Sequence, residues 1–163
     1  MFIHGCLGGV GRVAVQLAKR HGASVAGSCR PTSTHLAAEL GVEPIVPFDF
    51  NPAPLARQFD VVLDTVGSLP ITTALRLIRP AGRIIDIVPT PRKLLRSMLP
   101  GPYSAFMGRA SGADLHEIAE TVEQGDVHLP IAWTVPLTAA IAAFTELEKS
   151  PTSKGGKLVI TIP

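Results

Sequence analysis

At 163 residues and 46% hydrophobic side chains, the chain is long enough to bury a real core in one domain. Only 17% of residues are charged, and a net charge of +2 with no basic block makes no case for nucleic acid. No run reaches the roughly 18 apolar residues of a membrane span, no charged leader opens the chain, and two cysteines without C-x-x-C spacing suit a reducing, cytoplasmic setting. In chain order, Met1 to His4 reads as a short strand and Gly5 to Gly11 as a glycine-dense turn. Val10, Val13, Ala14, Leu17 and Ala18 then recur at helical spacing, with Arg12, Gln16, Lys19 and Arg20 on the other faces. Ala23 to Ser28 reads as a second strand, Thr32 to Leu40 as a helix ended by Gly41, and Glu43 to Phe48 as a third strand. Pro52 and Pro54 leave a loop or broken helix before a fourth, central strand at Phe59 to Val66. A helix over Ile71 to Ile78 stops at Arg79-Pro80-Ala81-Gly82, and a fifth strand runs from Arg83 to Val88.

Strands alternating with helices through short connections imply a parallel sheet with right-handed crossovers. The expected fold is an α/β, Rossmann-type doubly wound sheet of about six strands with helices on both faces. Beyond residue 90, Lys93 to Leu99 reads as a short basic, apolar helix and Tyr103 to Arg109 as a sixth strand. A helix follows from about Ser111 to Gln124, an extended edge segment over Val127 to Val135, a helix over Leu137 to Lys149 and a last strand over Lys157 to Ile162. Residues 1–126 are expected to form the main domain and 127–163 a tail.

The glycine turn is where chemistry is expected. Glycines let a ligand approach the backbone, the first helical N–H groups lack internal partners, and the helix dipole adds about half a positive charge. A pyrophosphate meets all three conditions. Cys6-x-Gly8-x-x-Gly11 fits the dinucleotide fingerprint with a small residue in place of the first glycine, whereas Arg12 and Val13 stand where a P-loop needs Lys and Ser or Thr. A plain packing turn is the competing reading. At the end of the second strand an Asp or Glu would take the ribose hydroxyls of NAD. Gly27 to Thr34 holds no acid, and Arg30 stands where a 2′-phosphate would fall, so NADP(H) is favoured over NAD(H).

Other chemistries fit poorly. Tyr103 has Met107 four residues on, not the lysine of a Tyr-x-x-x-Lys pair. A methyltransferase would want an acid at the second strand's end. The five histidines show no ligand spacing, so no metal residues are assigned, and each histidine reads as a surface or capping residue, with His4 beside the turn the candidate for touching ligand. Asp64 reads as structural, holding loop N–H groups.

His4-Gly-Cys-Leu-Gly-Gly-Val-Gly11, Val15-Gln-Leu-Ala-Lys19, Asp60-Val-Val-Leu-Asp-Thr-Val-Gly67, Leu77-Ile-Arg-Pro-Ala-Gly-Arg83, Ile87-Val-Pro89 and Gly156-Lys-Leu-Val-Ile-Thr-Ile162 resemble the cofactor domain of medium-chain dehydrogenase/reductases. The resemblance is to the zinc-free quinone oxidoreductase and NADP-dependent alcohol dehydrogenase-like branch, and it runs through the whole chain. It implies that Gly8, Gly9, Val10 and Gly11 hold the pyrophosphate, and Ser28 and Arg30 the 2′-phosphate. Thr65, Val66, Gly67, Val88 and Pro89 would flank the nicotinamide ribose, and Phe106 and Met107 would lie by the carboxamide. It also implies a GroES-like domain that this sequence does not contain, so the chain reads as the cofactor half of a reductase whose tail runs back to that domain. The implied activity is hydride transfer between NADPH and a quinone, enone, or alcohol/carbonyl substrate. The alternative is a non-catalytic cofactor-binding or dimerisation module. The nicotinamide carries such chemistry, so no catalytic residue is assigned. An edge at Tyr103 to Arg109 that pairs across a two-fold axis would make a homodimer.

Overall fold

The computed structural model describes residues 1–106, 108, 111–149 and 156–162. They divide into two compact units, Met1–Val127 and His128–Pro163. The strands of the first unit are β1 (Phe2–His4), β2 (Ala26–Ser28), β3 (Ile45–Val46), β4 (Phe59–Asp64), β5 (Ile78–Asp86) and β6 (Tyr103–Ala105). Its helices are α1 (Gly9–Arg20), α2 (Thr34–Glu39), α3 (Ile71–Leu77), α4 (Pro91–Ser97) and α5 (Gly112–Glu123). All six strands are parallel, in the order β3-β2-β1-β4-β5-β6. This is the doubly wound α/β sheet expected from the alternation of elements.

Alternation of side chains along the strands explains the core. Phe2 and Val62 face one side of the sheet, where they meet Phe59, Ala74, Leu77 and Ile84. Ile3 and Leu63 face the other, where Val15 of α1 and Ala37 of α2 cover them. Helices therefore lie on both faces, and the central strands are apolar on both sides. Phe2 is fully buried, with ring centroids 5.3 Å from Phe50 and 5.4 Å from Phe59.

The strands are shorter than their sequence patterns at the ends nearest the turns. β2 begins at Ala26 rather than Ala23, and β3 keeps only two residues. The helix expected from Thr32 opens as a 3-10 turn at Pro31–Ser33, since proline suits a first turn, and becomes α-helical at Thr34. The segment Arg79 to Gly82, expected to end a helix before the fifth strand, lies within β5 instead. Ile78 already pairs with Phe59, and the register then slips so that Arg83 faces Val61. The intervening residues bow out, with Ala81 at φ +67°. The sixth strand ends at Ala105, although the Phe106 N–H still reaches the Asp86 carbonyl at 2.8 Å. Arg109, its expected end, lies outside the described residues.

The second unit contains β7 (Ile131–Pro136), α6 (Ala140–Lys149) and β8 (Lys157–Thr161). β7 and β8 pair in parallel as a two-stranded sheet. The extended segment expected from Val127 starts later and is a paired strand. Among the described residues no helix is long and apolar enough to cross a membrane.

Candidate functional site

Chain direction reverses its progress across the sheet between β1 and β4. In open parallel sheets such a switch point leaves a crevice beyond the strands' carboxyl ends, where ligands bind. The glycine turn leaves β1 directly into that crevice. Gly5 takes φ +83°, and its N–H donates to the Ser28 carbonyl at 3.1 Å and to the Ser28 hydroxyl at 3.2 Å. A Cβ there would strike Val66, and Thr65 Oγ1 at 2.7 Å, so both backbone freedom and space demand glycine. The spacing pattern assigned the tight-turn position to Cys6; the conformational requirement falls one residue earlier. The signal was present in the sequence as Gly5-x-x-Gly8-x-x-Gly11.

The four residues expected to hold a pyrophosphate divide into two kinds. Gly8, Gly9 and Val10 are exposed, while Gly11 is buried. A Cβ on Gly11 would run into the Gly5 carbonyl and the backbone of Cys6, 3.0 Å away, so Gly11 lets α1 lie close against the turn. Gly8 spends its N–H on the Gly5 carbonyl at 3.0 Å. The first helical bond runs from Arg12 N–H to the Gly8 carbonyl at 2.8 Å, so the N–H groups of Gly9, Val10 and Gly11 precede it. No acidic side chain lies in the first turn of α1, and Lys19 and Arg20 lie in its last. The dipole is thus left unopposed at the mouth and balanced at the far end. These features fit a diphosphate.

The second strand's end departs from expectation. Ser28 is fully buried, and its hydroxyl is shared between Gly5 N–H and His4 Nδ1, 2.7 Å away. It supports the turn and presents no hydroxyl to a phosphate. His4, read as a surface or capping histidine, is also buried. Its Nε2 lies 2.9 Å from Ser68 Oγ, and its ring meets Phe48 edge-on at 5.1 Å. Burial lowers its pKa; the nearby Asp64 carboxylate raises it less, and Lys93 adds to the lowering. Arg30 is exposed at the end of the strand, with its carbonyl accepting from Ser33 N–H at 2.9 Å. Cys6 and Cys29 are buried free thiols; burial and then the Cys29 thiol push Cys6 up to about 12, which favours the neutral thiol at neutral pH.

Beyond β4 and β5 the predicted residues are brought together. Thr65 donates its hydroxyl to the His4 carbonyl at 2.7 Å, tying the switch point shut behind the crevice. Val66 and Val88 are about half exposed, as are Val10 on α1 and Phe106 past β6, so the rim is apolar. Pro89 is partly exposed beside Val88. Met107 lies outside the described residues. The buried Asp64 carboxylate accepts from the N–H groups of Val66, Gly67 and Leu69 at 3.0, 2.7 and 3.1 Å.

The sequence reading missed what lies beneath this rim. Asp86 is buried at the end of β5; its Oδ1 accepts from Val88 N–H at 2.9 Å and its Oδ2 from the Tyr103 hydroxyl at 3.0 Å. Lys93 turns inward from α4 to reach Asp86 Oδ2 at 2.6 Å, the Gly67 carbonyl at 2.8 Å and Asp64 Oδ2 at 3.2 Å. Burial pulls the Lys93 pKa down, but Asp86 and Asp64 together outweigh it and hold the pKa above its ordinary value. Burial, then the bond to Asp86, raises that of Tyr103. Among the described residues no three His, Cys, Asp or Glu side chains stand where they could hold a metal. A separate cleft of about 530 Å³ lies near the opposite end of β5, beside Arg57, Arg79 and Arg83, and includes none of the predicted residues.

Comparison with known proteins places this geometry. The zinc-binding dehydrogenase family profile matches residues 42–160. The polyketide synthase GfsB of Streptomyces halstedii is 32% identical over all of this chain, which covers 3% of that protein. The mouse mitochondrial NAD(P)H oxidoreductase RTN4IP1 is 28% identical over 98% of this chain and 47% of its own length. Among solved structures, the quinone oxidoreductase from Coxiella burnetii superposes with TM-score 0.80 at 24% identity, over 99% of this chain and 52% of that one. The CurK enoyl reductase superposes with TM-score 0.76 at 24% identity, over 99% and 54%. The chain therefore spans about half the length of the oxidoreductases it matches.

Proposed function

The chain belongs to the zinc-binding dehydrogenase family of medium-chain dehydrogenase/reductases, as a cofactor-binding domain, and from that premise we propose that it binds NADP(H) for a zinc-independent oxidoreductase. The observation that carries the reading is the mouth of α1 at the sheet's switch point, where Gly9 and Val10 are exposed, their N–H groups precede the first helical bond, and the first turn holds no acid. There the diphosphate would lie, with Gly8 giving close approach and Gly11 the helix its seat. Arg30 would meet the 2′-phosphate, and Ser28 would act only through the turn it supports. Thr65, Val66, Gly67, Val88 and Pro89 would border the nicotinamide end, with Phe106 and Met107 beyond it. The nicotinamide, when bound, supplies or accepts the hydride. This chain's residues bind it, orient it and give it an apolar rim that keeps water off one face. A quinone, an enone, or an alcohol/carbonyl pair would be the substrate, in keeping with relatives named as NAD(P)H oxidoreductases and with structural neighbours named as quinone oxidoreductase and enoyl reductase.

Titration with NADPH and NADH, followed by nicotinamide fluorescence, tests the proposal. Micromolar NADPH binding is expected. Arg30→Ala should weaken NADPH about tenfold, the scale of one charge-assisted contact, and leave NADH within twofold. Failure to bind either dinucleotide below millimolar would end the cofactor reading; an unselective Arg30 variant would end the NADP preference alone.

The second reading is a binding or dimerising module without turnover. NADPH oxidation by this chain with any quinone or enone would remove it. A homodimer is part of either reading: β6 is a sheet edge, and edges invite pairing. A monomeric mass in light scattering at micromolar concentration would contradict it.

A further inference from the structure

α4 is a short helix that keeps most of its surface in water, and Leu94 and Leu95 are exposed on it. Lys93 instead turns inward, with only 12% of its side chain exposed. Its ammonium has three protons and three acceptors, each on a different segment: Asp64 at the end of β4, Asp86 at the end of β5 and the Gly67 carbonyl in the loop between. Those two carboxylates in turn hold the N–H groups of Val66, Gly67, Leu69 and Val88. These four N–H groups, in the loops after β4 and β5, are thus each one step from a single nitrogen.

Position and chemistry both separate this from an ordinary stability device. The charges gather at the carboxyl ends of adjacent strands, beneath the two loops that meet where the Gly67 backbone approaches Val88. A Cβ on Gly67 would come within 2.8 Å of the Val88 carbonyl. Two buried carboxylates without a cation would repel each other and open that contact. Lysine also suits the task better than arginine, because three rotatable donors can converge on scattered acceptors, whereas a planar fork matches one carboxylate at a time.

We infer that Lys93 is a positioning residue for the nicotinamide half of the cofactor: it locks the loops after β4 and β5 in one spacing and leaves the diphosphate and adenosine half untouched. This rests on the cofactor reading above and predicts a split within one ligand. The test measures calorimetric affinities of the 163-residue chain for NADPH and for 2′-phospho-ADP-ribose, which lacks the nicotinamide. For the unaltered chain NADPH should bind more tightly than the fragment. Lys93→Met should weaken NADPH at least tenfold and the fragment less than twofold, erasing that difference. Lys93→Arg, which retains the charge, should give an intermediate NADPH loss with the fragment again unchanged, and it carries the measurement if the methionine variant does not fold. Equal losses for both ligands, or no loss for either, would overturn the inference while leaving the cofactor reading intact. An unaltered chain that binds neither ligand would instead overturn the cofactor reading.

Discussion

From β1 to β2 the carboxyl edge of the sheet is held by neutral groups. Gly5 N–H, the Ser28 hydroxyl and the His4 ring form a short chain of hydrogen bonds, and Gly11 lets the helix lie against it. From β4 to β6 the same edge is held by charge, with two buried carboxylates, one ammonium and a phenol. The first half leaves Gly8, Gly9 and Val10 exposed at the mouth of α1, with no acid in its first turn. The second turns its charges inward and presents an apolar rim. A ligand with phosphates at one end and a planar ring at the other needs that division of labour. The two halves should also break differently.

The largest loss is expected on the charged side. Asp64→Ala removes the acceptor of three backbone N–H groups and one of the two anions that hold Lys93. Breaking a buried ion pair from one side typically costs about 3–5 kcal/mol. Urea unfolding should show a loss of that size, and a loss below about 1 kcal/mol would mean that the network does not carry the loop. On the neutral side the strongest blow is a methyl group. Gly11→Ala pushes a Cβ into the Gly5 carbonyl and should cost about 1–3 kcal/mol as overpacking, visible as a lowered urea midpoint with an unchanged slope. Ser28→Ala should fall at the lower end of that range, about 1 kcal/mol. Gly5 N–H keeps the Ser28 carbonyl, and only His4 Nδ1 loses its partner. If Ser28→Ala proved as damaging as Asp64→Ala, the contrast between the halves would fail.

The contrast also explains what could be read from the chain beforehand. The parallel sheet followed from local signals: apolar runs at residues 1–4 and 59–66, helical spacing after Gly9, and proline and glycine stops. The glycine turn between β1 and α1, where a diphosphate is proposed to lie, was legible from spacing within seven residues. Asp64's hold on its own loop was legible because its partners lie two, three and five residues away. The charged cluster was not. It joins residues 64, 86, 93 and 103, from two strands, a helix and a third strand, and no local period marks Lys93 as different from Arg92 or Arg96. Ser28 and Arg30 show the same limit in reverse. Both stand near the expected phosphate, but Ser28 is the last residue of β2 and is fully buried, whereas Arg30 lies two residues beyond the strand and is exposed. The end of β2 at Ser28 was legible in the sequence; that the Ser28 hydroxyl is spent on Gly5 N–H and His4 was not, because those partners lie more than twenty residues away.

His4 belongs to both halves, since Nδ1 meets Ser28 on one side and Nε2 meets Ser68 in the loop after β4 on the other. Both bonds can form with a neutral ring, because each serine hydroxyl can donate or accept. Burial lowers its pKa despite the pull of Asp64, so the fold prefers the uncharged form. The unfolded chain protonates near the ordinary value of about 6.5. Below that pH and above the lowered folded value, the unfolded state binds a proton that the native state refuses, and stability must fall as pH falls. The slope from this one group is at most about 1.4 kcal/mol per pH unit, levelling once the native ring also protonates. His4→Gln, whose amide can also bond to hydroxyls, should remove that part of the acid slope in urea unfolding between pH 6.5 and 5. An unchanged slope would mean that His4 does not bridge the halves as a neutral group.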